Sequence, residues 1–369
     1  MKIFRDPIHN VIDLSTGDIA VDTLIANLID SAEFQRLRYI RQLGFTYLAY
    51  PSATHSRFEH SLGVAFLAKR FLEQLLKLRH SITNKSPLLQ DFFTEIEKNK
   101  HHIIIAALLH DLGHGPLSHV LEDITTNHHE DWTKRIILEK TDVNRLLSTF
   151  DKNLPQDICH ILFEKNNPKP VAKLISGTID IDKIDYLLRD SHMTGSGYGK
   201  FDMEWLLNVM TVGIVDNKVE IGLDLGKGQS VAEDFIMARV YMFKNVYLHK
   251  INTITCRMLK ELLHYINALP AQTKDALFPS LALKNVLLGT PTSKEYLQIT
   301  DIEIFYFLKT LEHNNDTTIK KLASGLLNRN LSKTATDDLV KSIPVDANDI
   351  FLFDKNGVGY SLQSVSDIL

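Results

Sequence analysis

At 369 residues the chain is long for a single hydrophobic core, so one large domain with an appendage is expected. A composition that is 44% hydrophobic and 23% charged, with 17 glycines and 11 prolines, excludes fibrous and disordered classes. The formal net charge of −4 speaks against a dedicated nucleic-acid binder, and Cys159 and Cys256, lacking CxxC spacing, speak against a disulfide framework or a cysteine zinc site.

The opening MKIFRDPIHNVIDL lacks the apolar core of a signal peptide, and the longest apolar run, Ile103 to Leu109, is too short to cross a bilayer. A cytoplasmic protein without membrane attachment is expected. In FQRLRYIRQL, Phe34, Leu37, Ile40 and Leu43 are spaced for one apolar helical face; for Arg36 and Arg38 the alternative to a ligand-binding role is an exposed helix face. YPSATHSRFEHSLGVAFLAKRFLEQLL opens with turn residues and becomes helical through Ala65, Leu67, Ala68, Phe71, Leu72 and Leu75. A polar stretch (NKSP, then EIEKNKHH) separates it from a short apolar helix, IIIAALLHDLGHG, which Gly113, Gly115 and Pro116 bring to an end.

Further helices are expected around 130–150, 155–165, 170–192 and 201–211. IVDNKVEI has the form of a small hairpin turning at Asp-Asn. SVAEDFIMARVYMFKNVYLHKINTITCRMLKELLHYI is a long helical run without proline. Beyond Pro270 the pattern is less regular, and the tail from about 340 has the alternation of short strands. No internal repeat or low-complexity segment interrupts the chain.

The segment HDLGHGPLSH, residues 110–119, packs three histidines and an aspartate between two glycines and a proline. Adjacent helical residues point about 100° apart, so His110 and Asp111 share a metal only at a helix end. Further ligands must come from elsewhere: His60 in RFEHS, and an acidic residue in TIDIDKIDYLLRDSH. A His/His/Asp/Asp set suits zinc, manganese, iron or cobalt and leaves positions open for water and substrate. Asp182, Tyr186, Arg189 and Asp190 recur on one helical face, the pattern of an active-site wall; for Asp185 and Arg189 the alternative is a solvated charged face.

The series His60, His110–Asp111 and Asp182 resembles the HD phosphohydrolase superfamily. DPIHNVIDL, EFQRLRYIRQLG, THSRFEHSLGV, LLHDLGHGPLSHVLE, HHED, DIDKIDYLLRDS and ARVYMFKNVYLHK extend the resemblance, in order over roughly residues 1–265, to its deoxynucleotide triphosphohydrolase branch. The resemblance implies a mainly α fold, an HD-domain helical core with a small β hairpin over 1–269; the last hundred residues carry no matching motif, and their own pattern predicts a smaller α+β region over 270–369, a candidate for oligomerisation or regulation. The resemblance also implies that His60, His110, Asp111 and Asp182 hold a divalent metal (Mn, Mg, Zn, Fe or Co).

By the same resemblance His119 is the acid that protonates the 5′-oxygen leaving group, Glu122 and His129 orient it, and His114 lines the phosphate site. Related enzymes carry aspartate where this chain has Glu122, and His128 is the local alternative to His129. Arg57 meets the α-phosphate, Lys183 and Arg239 the γ-phosphate. Gln42, Tyr186 and Asp190 contact the sugar, and Leu43 with Tyr247 crowds its 2′ position. The implied reaction is hydrolysis of a deoxynucleoside triphosphate to deoxynucleoside and inorganic triphosphate.

Lys2, Ile3, Asp30, Gln35 and Arg38 match positions that hold a guanine-nucleotide activator between subunits of a vertebrate member, which implies a homo-oligomer, dimer or tetramer. Two other readings compete. One is an HD phosphohydrolase acting on a monophosphate, cyclic or alarmone-like nucleotide. The other is a nucleotide sensor or weak single-stranded nucleic-acid binder without turnover.

Overall fold

A computed structural model describes the chain except residues 1, 83–85, 123, 126–127, 165–171, 332–349, 356 and 367–369, and the side chains of 80–82 and 176. The part of the expected strand-like tail at 340–349 lies outside the described residues. The fold is mainly α. Two strands, β1 (Ile3–Asp6) and β2 (Asn10–Asp13), form an antiparallel hairpin ahead of helix α1 (Ile19–Asp30). Helix α2 (Arg57–Ile82) then packs on α3 (Pro87–Leu109) and on α5 (Ile181–Thr194), with α4 (His129–Leu138) between the last two in sequence.

Every residue from Ile103 to Leu109 is buried, as is each apolar position expected on α2. A helix end that is apolar all round must be enclosed, and this one delivers His110 and Asp111 into the interior. The polar EIEKNKHH does not separate two elements; it belongs to α3, whose turns there leave Glu97 and Lys98 in solvent while Ile96 stays buried.

The segment 34–43 is not one helix. A short turn of helix, Ala32–Gln35, tightens into a 3-10 turn, Arg36–Tyr39, and Ile40 is extended at φ −119°. That exit lets Arg41 pair with Ser56 and donate its backbone N–H to Asp301. Arg36 is not exposed: its buried guanidinium donates to the carbonyls of Ile299 and His114.

The hairpin turning at Asp216–Asn217 is present as β3 (Met210–Val215) and β4 (Lys218–Asp224), both turn residues left-handed as a type I′ turn requires. The C-terminal strands β5 (Phe351–Phe353) and β6 (Gly359–Ser361) join it, β5 parallel to β4, making a four-stranded sheet. The long run after it is broken. Helix α6 (Gln229–Met242) widens into a π turn, Phe243–Tyr247, and α7 (Lys250–Asn267) restarts after His249, whose side chain accepts the Ile251 N–H. Between Pro270 and Leu327 the chain is helical, including α8 (Asp301–Leu311) and α9 (Thr317–Leu327).

Two hydrophobic clusters result. The larger gathers α1, α2, α3, α5 and the sheet; the smaller joins α7, α8 and α9 to Phe45, Leu117, Leu121 and Trp132. Leu112 belongs to the first and Leu117 to the second, so the loop after α3 is pinned between two cores. Among the described residues no helix is long and apolar enough to cross a membrane.

Candidate active site

Because α3 ends at Leu109, His110 and Asp111 turn inward toward α2 and α5. His60 Nε2 lies 3.0 Å from Asp182 Oδ1 and 3.5 Å from Asp111 Oδ2; His110 Nε2 lies 3.3 Å from Asp111 Oδ1 and 3.5 Å from Asp182 Oδ1. Each ring's other nitrogen is committed. His60 Nδ1 donates to Asp185 at 2.8 Å and His110 Nδ1 to the Ala107 carbonyl at 2.8 Å. Both Nε2 atoms are buried without a hydrogen-bond partner and face two carboxylates. Such a grouping is unfavourable without a cation; one ligand atom each from His60, His110 and Asp111 lies within 4.8 Å of the others, a set that fits a divalent metal, and Asp182 lies beside both imidazoles. Burial lowers the affinity of His60 for a proton, yet Asp182 and Asp185 outweigh it and hold the imidazole up at about 10. A cation would take that proton's place.

Behind the quartet sits a second polar layer. Asp185 accepts from His60, from His9 Nε2 at 2.7 Å and from Arg189 Nε at 2.8 Å, and Arg189 also donates to Asp6 at 2.7 Å. Burial pushes the Asp185 carboxyl up, but the Arg189 guanidinium and the two imidazoles hold it well below the usual carboxylate range. Arg189 and Asp185 are therefore neither a solvated face nor part of the cavity wall; both are fully buried. Gly63 is needed here, since a Cβ would stand 2.0 Å from Asp185 Oδ1. His9 and Asp6 carry no role in the sequence reading, although DPIHN is among the matched segments.

The other half of HDLGHGPLSH builds a cluster around Glu122. Leu117 and Ser118 are both left-handed, at φ 58° and 54°, and this turn brings His119 beside His114. His119 Nδ1 lies 2.8 Å from Glu122 Oε2, and His129 Nδ1 2.6 Å from Oε1, which also accepts the His129 N–H at 2.8 Å. The longer glutamate thus reaches both imidazoles, and it is His129, not the exposed His128, that it meets. Despite partial burial, His119 and His129 hold the Glu122 carboxyl far below the carboxylate range. His114 stacks on His129 at 4.0 Å; its burial, with Arg57 and His129 nearby, keeps it neutral.

Asp111, Asp182, His114, His119 and His129 line a cavity of about 470 Å³ that also takes in Gln42, Leu43, Tyr186, Asp190 and Tyr247, while His60, His110 and Glu122 stand behind its wall. The π turn aims Tyr247 at Asp190, its hydroxyl donating to Oδ2 at 2.8 Å, while His55 Nε2 donates to Oδ1 at 2.7 Å. Arg57 reaches the cavity with one N–H committed to Asp111 at 2.6 Å and another to Ser118 at 3.0 Å. Lys183 and Arg239 stand outside the lining. Lys183 is tied to Asp180 and the Gly177 carbonyl, whereas Arg239 Nε is buried without a partner.

The C-terminal helices hold the loop in place. Tyr296 stacks on Trp132 at 3.9 Å and donates to the Gly113 carbonyl, and Asp301 accepts the Leu117 N–H at 2.7 Å. Neither residue sits in a recognisable motif. The proposed activator residues lie on the outer surface: Lys2 pairs with Asp30, Arg38 Nε donates to Gln35 at 2.8 Å, and Ile3 is exposed.

Comparison with known proteins places this geometry. The HD domain family matches residues 57–190. The uncharacterized protein YwfO of Bacillus subtilis is 36% identical over 89% of this chain and 71% of its own length. The human deoxynucleoside triphosphate triphosphohydrolase SAMHD1 is 29% identical over 71% of this chain, which spans 44% of that enzyme. A crystal structure of a phosphohydrolase from Bacteroides thetaiotaomicron superposes with a TM-score of 0.78 at 26% identity, covering 100% of this chain and 95% of the other.

Proposed function

Since the chain belongs to the HD-domain phosphohydrolase superfamily, we propose that it hydrolyses deoxynucleoside triphosphates at the α-phosphorus, releasing deoxynucleoside and inorganic triphosphate. One observation carries the reading: a single cavity is lined by the metal-facing carboxylates of Asp111 and Asp182, by the histidines grouped on Glu122, and by the Tyr186–Asp190–Tyr247 wall. His60, His110, Asp111 and Asp182 would hold a divalent cation, which when bound would supply Lewis acidity toward a phosphoryl oxygen and water.

The chain's own groups do the rest. Arg57 spreads its guanidinium over the charge that develops on the phosphoryl oxygens, while its bond to Asp111 fixes its rotamer. His119 is 64% exposed at its side chain and delivers a proton to the departing 5′-oxygen; Glu122 holds the ring with Nδ1–H toward the carboxylate. Asp190, fixed from both sides by His55 and Tyr247, accepts from the sugar 3′-hydroxyl, and Leu43 with Tyr247 fills the space that a 2′-hydroxyl needs. Arg239, with its unpaired Nε, serves the far end of the phosphate chain, and Lys183 joins it by leaving Asp180. Lys2, Ile3, Asp30, Gln35 and Arg38 are proposed to take a guanine nucleotide at a contact between copies of the chain.

The test is phosphorus NMR of the protein with manganese and each deoxynucleoside triphosphate, with and without guanosine triphosphate. Intact triphosphate as first product, abolished by Asp111→Ala, is expected. Pyrophosphate or orthophosphate as first product would sink the α-phosphorus mechanism and favour another nucleotide. Absence of turnover would favour a sensor.

A further inference from the structure

The cluster around Glu122 has the composition of a metal site in its own right. The Nδ1 atoms of His119, His129 and His114 lie 2.8, 2.6 and 4.0 Å from Glu122 oxygens. One ligand atom from each of the four side chains falls within 4.8 Å of all the others. Hydrogen bonding within the cluster accounts for only two of the three imidazoles. His114 is 1% exposed at its side chain, and its Nδ1 is buried with no partner. Its Nε2 faces Asp111 Oδ1 at 3.2 Å, so the ring's proton belongs on Nε2 and Nδ1 presents a lone pair toward Glu122.

Three imidazole nitrogens and one carboxylate oxygen are a donor set that zinc and its neighbours prefer over magnesium. We infer that His114, His119, Glu122 and His129 form a second transition-metal site, selective for zinc-like cations, and that its occupancy switches the hydrolase off. The site stands on these contacts alone; the switch rests on the proposed role of His119. A cation on Nδ1 of His119 leaves the ring's one proton on Nε2. Coordination also replaces the Nδ1–H bond to Glu122 that orients the ring, so His119 is held within the cluster and lost to the departing oxygen. His114, facing Asp111 through one nitrogen and this site through the other, stands between the two centres.

Equilibrium dialysis of the full chain against zinc, and separately cobalt, with metal counted per chain and the visible cobalt spectrum recorded, tests the site. Wild type is expected to bind a second ion beyond the one held by the HD quartet. Asp111→Ala should lose the quartet ion and keep the second; His129→Asn and Glu122→Gln should each do the reverse. A single ion that vanishes in Asp111→Ala, or two ions that persist in both cluster variants, would overturn the site. For the switch, zinc added to the manganese enzyme until the second position fills should lower kcat by about 10²-fold, the contribution of a general acid. Filling without loss of turnover would overturn the switch. Dialysis reads the site whether or not deoxynucleotides are hydrolysed, so a failed hydrolysis assay counts against the proposed function alone.

Discussion

Glu122 illustrates how one side chain sets the state of several others. Both of its oxygens are engaged by imidazole N–H groups, so the carboxylate stays ionised far into acid and each ring is held in one tautomer. Glu122→Gln keeps the volume but turns an N–H donor toward one of those rings, where it meets another donor. If His119 is the acid, as proposed, this loosens it rather than the substrate contacts, and kcat should fall by about 10²-fold with KM changed by less than about threefold. Steady-state kinetics on whichever deoxynucleotide turns over best decides it. A rise in KM at constant kcat would mean that Glu122 serves binding instead. A second residue-scale expectation concerns Tyr247, whose hydroxyl fixes Asp190. Tyr247→Phe leaves the ring in place, so it should weaken deoxynucleotide binding by about tenfold, the worth of one hydrogen bond to a charged group. A KM unchanged within error would remove Asp190 from the sugar site.

At the scale of elements, the loop after α3 depends on close approach between backbones. A Cβ on Gly113 would lie 2.1 Å from the Thr133 nitrogen and 2.2 Å from the His129 carbonyl, both backbone atoms of α4 that cannot swing aside. Gly113→Ala must therefore push α4 away, which should destabilise the protein by about 3 kcal/mol and also part His129 from Glu122. Urea unfolding gives the first effect; loss of turnover under conditions where the variant remains folded gives the second. Stability within about 0.5 kcal/mol of wild type would show that the loop has slack.

Much of this level was legible in the chain. The apolar run 103–109 forces a buried helix end, and the motif order carries His60, Asp111 and Asp182 to one place. What stayed hidden is informative. Continuous helix over 230–266 fits the local sequence, whereas the chain opens into a π turn from which Tyr247 reaches Asp190 and restarts after His249, a long-range contact that local periodicity does not encode. Periodicity also put Arg189 on the wall with Asp182. The helical face it counts is correct, but the hairpin β1–β2 covers that end of α5 and supplies Asp6 and His9 from far away in sequence.

On the scale of the whole molecule, the site is a joint between two cores, and Asp301 is the residue that shows it. From α8 its carboxylate accepts the N–H of Leu117 through one oxygen and that of Arg41 through the other, at 2.7 and 3.1 Å. It thereby clamps both the left-handed turn before His119 and the turn that carries Gln42 and Leu43. Neither partner is near it in sequence, which is why no pattern in residues 270–369 announced the role. Burial dominates its titration and pushes the carboxyl up from 3.8 to about 6, in spite of the two N–H donors and the arginines nearby. A folded pKa above the unfolded one means the fold binds the proton more tightly. Asp301's contribution to stability is then fully present below pH 3.8 and is lost as pH rises through about 6. Asparagine has no such titration. The difference in unfolding free energy, wild type minus Asp301→Asn, should therefore decline across that window by at most about 3 kcal/mol and be flat above it. Urea unfolding of both proteins at closely spaced pH values measures this difference directly. A difference that instead grows with pH would mean that the two N–H bonds and the arginines outweigh burial, so that the carboxylate form is the one the two cores are built around.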